Sequence, residues 1–510
     1  MKILDCTIRD GGYYTDWDFD SSTVETYLRE TKELPIDFLE IGYRSPTLKG
    51  YQGEYFYLPE SRILKIKKAS NKHLVIILNE KDIHSQNIEE ILKPCLGNIY
   101  MVRLAIDPTN FPRALRSANK IKKLGFVVAL NVMYLSKWEQ DPNFFEELKN
   151  LEEVADFLYM VDSFGGIYPS DLIRIIKKIR EKTSILLGFH GHNNLELALA
   201  NSIFAIEAGV EIIDCTFTGM GRGAGNLKTE LLLTYLEKER GLNVNFDALD
   251  IITSTFEKLQ KKFNWGTNLA YMVAGANSIP QKEVMDWVNK RFFSYNSIIR
   301  AIDNKRSGVV DNVNNIEILK PMTNSTLLLV GGGHSVKENI DGLLTFLEKN
   351  PHISIVHVSS RNAGYFKQLV NLQLFCLSGN EGVRLEKIYA KSLFVNSLGV
   401  LPPYPRKMGT YIPKKLKEQC KELNEMDPFK EYPESMTAIA LKIALDTNKK
   451  DHFIVGFDGY SNSNISQKES DLFLENNVLF KKVGEKLDLQ SLTKTKYESL
   501  IKDSLYKYIA

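Results

Sequence analysis

Residues 184–194 read SILLGFHGHNN, an apolar run that ends in two histidines, His190 and His192, separated by a single glycine. In an extended strand residues i and i+2 point to the same side, so the two imidazoles converge on one point in space, as the ligands of a metal ion do. With only 8 histidines in 510 residues, the pair stands out. A metal at that point needs a further donor, and the strands beside this one have to supply it.

The first 230 residues alternate short apolar runs with longer amphipathic stretches, the pattern of repeated strand–helix units around a parallel sheet. The strand candidates are KILDCTI at 2–8, DFLEIGY at 37–43, HLVIIL at 73–78, IYMVRLA at 99–105, FVVALNV at 126–132, FLYMVDS at 157–163, SILLGFH at 184–190 and EIIDCTF at 211–217. Helix-like stretches such as SDLIRIIKKIREK and NLELALANSIFAIEAG lie between them, the second ending on Gly209 as a helix C-cap should. This order predicts an α/β protein whose residues 1–240 form an N-terminal (β/α)8 TIM barrel. Residues 241–305 show helical periodicity without a strong strand and read as a helical appendage. The polar, turn-rich stretch NKRSGVVDNVNNIEILKPMTN reads as a linker. STLLLVGGGHS, VKENIDGLLTFLEKN and ISIVHVSS then open a second, Rossmann-like α/β domain over residues 320–510. LQLFCLSG, KSLFVNSLGV and DHFIVGFDGY are its further buried strands, and SLTKTKYESLIKDSLYKYIA is expected to close the chain as a helix.

Bulk properties exclude several classes of function. The 65 basic and 63 acidic side chains leave a net charge of +2, which gives no sign of a nucleic acid or other polyanion as partner. Five scattered cysteines (Cys6, Cys95, Cys215, Cys376 and Cys420) contain no C-x-x-C pair, so neither a disulfide framework nor a thiolate zinc site is expected, and a reducing cytoplasm fits. The N-terminal MKILDCTIRD lacks the apolar core of an export signal, and no run of about 18 apolar residues suggests a membrane span.

In a barrel of this kind chemistry gathers at the C-terminal ends of the strands, and the residues there are unusually polar. Arg9 and Asp10 follow strand one; Glu40, Tyr43 and Arg44 lie at strand two; Asn131 ends strand five; Asp162 and Ser163 end strand six; Arg222 and Asn226 follow strand eight. Strands one, seven and eight are neighbours in a closed barrel, so Asp10 can face His190 and His192. Two imidazoles and a carboxylate suit a divalent ion with open coordination positions, Mn²⁺, Fe²⁺, Co²⁺ or Zn²⁺, rather than a closed structural zinc. Such an ion would polarise the carbonyl of a 2-oxo acid so that a proton leaves the adjacent carbon. Arg9 is placed to stabilise the enolate oxygen. Glu40 and Asp162 either contact or brace this site, or brace loops and cap the next helix. The run TGMGRGAGN is a flexible turn or a phosphate cradle.

TIRDGG at 7–12, FLEIGYR at 38–44, MVDSFG at 160–165, GFHGHNNLELALAN at 188–201 and GMGRGAGN at 219–226 together resemble the DRE-TIM metallolyase superfamily (HMG-CoA lyase-like), most closely its 4-hydroxy-2-oxovalerate aldolase branch. The resemblance covers residues 1 to about 230. It implies a lyase that adds a pyruvate enolate to an aldehyde, reversibly. It places the metal ligands on Asp10, His190 and His192, with Asn226 as a further one, and the enolate-stabilising arginine on Arg9. Mn²⁺ is the expected ion, with Mg²⁺, Co²⁺ and Zn²⁺ as alternatives. The branch carries a histidine base shortly after its R-D-G motif, where this chain has Gly12-Tyr13-Tyr14. Tyr13 is therefore the expected proton carrier, with Tyr14 behind it, unless both tyrosines only wall the aldehyde pocket. Arg44, Asn131, Asp162, Ser163 and Arg222 are the remaining substrate contacts expected. Other branches condense or cleave acyl-CoA by Claisen-type chemistry and share the metal motif, but the loop TGMGRGAGN lacks the cysteine that the HMG-CoA lyase branch tends to carry there.

In the second domain Gly331, Gly333, His334 and Ser335 resemble a nucleotide phosphate turn, and Asp458 would join them in the cleft. The third glycine of a G-x-G-x-x-G pattern falls on Val336 and no acidic residue follows the next strand, so NAD is not expected. VGGGHS, VGFDGY and SLTKTKY are loosely similar to Rossmann-like domains of surface-polysaccharide enzymes, which would suit a nucleotide sugar or phosphorylated sugar and a sugar aldehyde as acceptor. Against this stand a domain that only oligomerises or scaffolds, and an idle barrel whose partner domain binds a glycan precursor. The apolar helices of the appendage are compatible with a homodimer.

Overall fold

Eight strands close into a parallel barrel in chain order: β1 (Lys2–Asp5), β2 (Phe38–Tyr43), β3 (His73–Asn79), β4 (Met101–Ile106), β5 (Val127–Val132), β6 (Phe157–Asp162), β7 (Leu186–Gly191) and β8 (Ile212–Cys215). The ring shuts where β1 meets β8, with Lys2 opposite Ile212 and Asp5 opposite Cys215. These positions come from a computed structural model that describes every residue except 84–85, 142, 150, 290–292, 407 and 461–466.

Alternate residues on each strand face the barrel axis, and they stack in layers of different chemistry. Phe38, Met101, Ala129, Tyr159 and Ile212 make an apolar floor. Two residues further along their strands, Glu40, Arg103, Asn131 and Asp214 form a polar layer in which each is at most 3% exposed. Above it, Ala105, Met133, Val161 and Ser163 line an open cavity. The register of β2 slips between Glu40 and Tyr43 at Gly42, which has φ 148° and where a Cβ would lie 2.1 Å from the Tyr55 carbonyl oxygen. Only glycine fits there, and the irregularity turns Tyr43 toward the cavity.

The chain divides into two compact units, Met1–Met285 and Asp286–Ala510. The helical stretch 241–305 is shared between them: helices Phe246–Phe263 and Leu269–Ala276 belong to the first, and Tyr295–Arg306 to the second. Among the described residues no helix is long and apolar enough to cross a membrane, and all five cysteines are free and buried.

The second unit is an eight-stranded sheet in the order β13-β12-β11-β10-β9-β14-β15-β16, from β9 (Leu327–Val330), β10 (Ser354–His357), β11 (Gln373–Cys376), β12 (Ser397–Leu401), β13 (Cys420–Glu422), β14 (Asp451–Val455), β15 (Asp488–Ser491) and β16 (Ile501–Lys502). All its pairs are parallel. Leu327 and Leu329 enter one apolar cluster, Leu328 and Val330 another. Both faces are thus covered, which is why the strand LLLV is apolar without alternation. The linker stretch is anchored on this sheet: buried Asp311 pairs with Arg406 at 2.7 Å, and Ile318 bridges Glu422. The closing segment is not the expected helix. Ile501 and Lys502 pair with β15 as an edge strand, followed by a short 3₁₀ turn over Leu505–Tyr508, because docking on a sheet edge outweighs a weak helical preference.

One buried histidine makes this unit sensitive to acid. His357 Nε2 donates to Gln373 Oε1 at 2.9 Å and its ring stacks on Phe375 at 4.7 Å, while Nδ1 is buried without a partner among the described residues. Burial pushes its pKa from 6.5 down to about 4, with the Gln373 bond opposing. Between those values the unfolded chain binds the extra proton, so the contribution of neutral His357 is intact above pH 6.5 and is lost as pH falls toward 4. By denaturant titration, His357→Phe should reduce the loss of stability over that range by about 3 kcal/mol; an identical pH profile would contradict this assignment.

Candidate active site

β1 stops at Asp5 because its carboxylate accepts from the Thr7 amide at 3.0 Å and from the Tyr27 and Thr229 hydroxyls at 2.7 Å. The chain turns there into the helix Thr7–Thr15, so KILDCTI is not a strand throughout. Arg9 and Asp10 sit in the first helical turn, not beyond a strand end, and the helix N-terminus favours the Asp10 carboxylate.

Across the barrel mouth, extended pairing continues past β7. His192 bridges Asn226, and the Asn193 amide donates to the Gly225 carbonyl at 2.8 Å. The TGMGRGAGN run is therefore a fixed turn that folds back onto the histidines. The rings of His190 and His192 lie 5.0 Å apart. His190 Nδ1 meets Asp214 Oδ2 at 2.9 Å, and His192 Nδ1 meets the Asp162 carbonyl at 2.7 Å. Both partners accept, so each Nδ1 carries a proton, and in the neutral imidazole Nε2 then keeps the lone pair that a cation would take. His190 Nε2 is 3.6 Å from Asp10 Oδ2. Desolvation, then the neighbouring His190, pushes His192 down to about 3, which keeps it a neutral donor.

Asp10 belongs to a closed ring of buried charge. Arg9 Nη1 donates to Asp10 and Arg9 Nε to Glu40 Oε2 at 2.6 Å. Glu40 Oε1 meets Arg103 Nη1 at 3.2 Å, and Arg103 Nη2 meets Asp214 Oδ2 at 2.5 Å. Asp214 holds His190, which faces Asp10 again. Burial pushes the Asp10 carboxyl up, but Arg9 and then the two histidines outweigh it and hold it below the usual carboxylate range. For Asp214, Arg103 and His190 outweigh burial in the same way.

The donor set fits a divalent cation. Asp10, His190 and His192 present one carboxylate and two free imidazole nitrogens, the combination such an ion takes with positions to spare. Asn226 Nδ2 donates to Asp10 Oδ2 at 2.6 Å, and its Oδ1 is buried with no partner among the described residues. Cys6, His190 and Asp214 also bring ligand atoms within 4.8 Å of one another. In that trio Asp214 Oδ2 already serves Arg103 and His190, and burial followed by the Asp10 charge holds the Cys6 thiol protonated, so it is the poorer donor set.

A cavity of about 340 Å³ opens above the ring, lined by Arg9, Asp10, Tyr13, His190, His192 and Arg222 together with Asn131 and Ser163. The Tyr13 and Tyr43 hydroxyls share a hydrogen bond at 2.8 Å, and the Arg222 guanidinium lies 3.7 Å from the Tyr13 ring centroid. Other expected site residues lie off the cavity. Glu40 is fully buried behind Arg9. Asp162 caps the following turn through the Gly166 and Ile167 amides, and burial raises it to about 6. Tyr14 packs on Phe263 and Trp265. Arg44 is consumed by backbone carbonyls, with Nε on Ile91 at 2.7 Å and Nη1 on Tyr57. Conversely, Arg103, Asp214, Gln281 and Lys282 were not singled out by the sequence. For the first two the signal existed, a charge in the middle of the apolar runs IYMVRLA and EIIDCTF. Gln281 and Lys282 arrive at the cavity from a helix distant in sequence and gave none.

The family model described as HMGL-like matches residues 110–255. A 4-hydroxy-2-oxovalerate aldolase of Thermomicrobium roseum is 28% identical over 264 residues, 49% of this chain and 70% of that protein. An oxaloacetate decarboxylase of Mycobacterium tuberculosis is 25% identical over 247 residues, 46% of this chain and 70% of that protein. The solved N-terminal domain of a candidate aldolase from Bacteroides vulgatus is 53% identical, with a TM-score of 0.57, and is matched over 100% of its length by 59% of this chain.

Removing one member of a buried ion pair leaves its partners desolvated and uncompensated. Arg103→Met should therefore lower stability by about 3–5 kcal/mol in urea titrations, and a loss below about 1 kcal/mol would contradict the ring as the support of Asp10 and His190.

Proposed function

We propose, from the premise that this chain belongs to the HMGL-like family, that its barrel is a divalent-metal-dependent aldolase that makes and breaks a carbon–carbon bond between a pyruvate-type 2-oxo acid and an aldehyde. The observation that carries this reading is the meeting of two free imidazole nitrogens, the Asp10 carboxylate and the Arg9 guanidinium at the floor of one cavity.

Asp10, His190 and His192 would hold the cation, with Asn226 beside them, and Mn²⁺ is the ion we expect. When bound, the cation supplies Lewis acidity that weakens a C–H bond next to a keto group. Arg9 lines the cavity next to Asp10, and its charge offsets the negative oxygen of an enolate. Glu40 and Asp10 fix the guanidinium from two sides, so little reorganisation accompanies the reaction. Tyr13 and Tyr43, which both line the cavity, supply a path for the acceptor hydroxyl proton. Burial, then the neighbouring Tyr13, raises the Tyr43 phenol well above its ordinary value, so Tyr43 serves as a donor that steadies Tyr13. Asn131, Ser163 and Arg222 on the cavity walls would contact substrate, and the cationic Arg222 and Lys282 favour an acceptor with an anionic or hydroxylated tail.

Two steps can be read separately. In D₂O with Mn²⁺, the methyl protons of pyruvate should exchange by NMR, and His192→Ala should lower the rate at least about 100-fold. Absence of exchange in the metal-loaded protein would overturn the reading. Tyr13→Phe should leave pyruvate exchange near the wild-type rate while slowing cleavage of a 4-hydroxy-2-oxo acid about 100-fold; equal slowing of both would remove Tyr13 from the hydroxyl proton path.

A further inference from the structure

The second unit carries a cavity of about 370 Å³ at the centre of its sheet. β9 and β14 are neighbours there, and the chain leaves them in opposite directions, β9 toward β10 and β14 toward β15. In open parallel sheets this reversal leaves a crevice beyond the strand ends, where ligands bind. The loops after the two strands, Gly331–His334 and Gly456–Tyr460, form its walls.

Most of the amides of the glycine turn are already used. The amides of Gly331 and Gly333 already donate to the Val455 and Gly456 carbonyls, each at 2.8 Å. The Ser335 amide and hydroxyl both donate to the Asp458 carboxylate. A Cβ on Gly333 would lie 2.6 Å from that carboxylate, so the glycine makes room for Asp458, and a phosphate there would face a negative charge. His334 points to solvent, its side chain 73% exposed, toward Glu338. Asp458, which lines the cavity, keeps unused polar capacity, the second lone pairs of its oxygens.

A second acceptor joins it. Asn476 is 3% exposed and lines the cavity; Nδ2 donates to the Tyr497 hydroxyl at 3.1 Å, and Oδ1 is buried with no partner among the described residues. A buried acceptor left unpaired is costly, so this oxygen calls for a donor. Acceptors on the inner wall select a ligand that brings hydroxyl groups. Phe457 and Met436 offer an apolar surface to the C–H face of a ring. At the rim, Arg361 is exposed and held by one bond to the Gly332 carbonyl at 3.2 Å, free to meet an anionic substituent.

We propose that this cavity binds a hydroxyl-rich ring, a pyranose or a ribose, through the Asp458 carboxylate and Asn476 Oδ1, with any phosphate left at the rim near Arg361. The test uses the full-length protein and saturation-transfer NMR with methyl α-D-glucopyranoside, cytidine, glucose 6-phosphate and inorganic phosphate as separate probes. Saturation of ring protons is expected from at least one hydroxylated probe, with binding at least tenfold weaker in Asp458→Asn and in Asn476→Leu. Pyruvate proton exchange and the thermal midpoint, followed in parallel, report on folding, and Asn476→Leu carries the test alone if Asp458→Asn does not fold. A response to cytidine only assigns a ribose, and a response to the glucoside or glucose 6-phosphate only assigns a pyranose. No response to any hydroxylated probe, a response that both variants retain, or displacement of the hydroxylated probes by inorganic phosphate would overturn the proposal.

Discussion

Inside the barrel, Asp10, Arg9, Glu40, Arg103, Asp214 and His190 are joined pairwise into a ring with almost no access to solvent. Burying charge is expensive, and it is sustained here because each carboxylate meets a guanidinium within ion-pair distance. The ring holds three carboxylates against two guanidinium groups, so its field favours a further cation, and the side of the ring that faces the cavity is the side where Asp10, His190 and His192 converge. Geometry and charge balance therefore point to the same place. The apolar floor below excludes water from one side, and the cavity admits small molecules from the other.

The layering of the strands explains why such a ring can exist. A barrel strand offers an inward position every second residue, and β4 uses three in succession for different ends: Met101 in the floor, Arg103 in the ring, Ala105 in the cavity wall. Ala105 is small because the residues around it must leave space. Arg103, stacked 4.2 Å over the Tyr159 ring, reaches two carboxylates from different strands at once. This middle layer holds His190 through Asp214 and gives the Arg9 guanidinium a fixed direction, while His192 is held by the Asp162 backbone carbonyl.

Much of this was legible in the sequence, for local reasons. The eight apolar runs announced the barrel strands, and H-x-H at the end of an apolar run announced convergent imidazoles because strand periodicity alone brings them together. What failed was non-local. Arg9 and Asp10 read as strand-end residues, yet side-chain acceptance by Asp5 accompanies a helix that starts at Thr7 and takes both into its first turn. Tyr14 and Arg44 were polar residues near strand ends whose partners, Trp265 and the Ile91 and Tyr57 carbonyls, lie far along the chain. The closing segment looked helical and became a sheet edge, and the G-G-G turn looked like a phosphate site until Asp458, more than a hundred residues later, filled it.

The central claim is that Asp10, His190 and His192 grip one divalent ion at the barrel mouth. Titration with Mn²⁺ followed by pulsed electron paramagnetic resonance tests it most directly, because nitrogen modulation counts the imidazoles bound to the ion. The account predicts one Mn²⁺ per chain coupled to two histidine nitrogens, with both couplings lost in the His190→Ala/His192→Ala double variant. An ion that shows no imidazole coupling, or the same spectrum from the double variant, would contradict it.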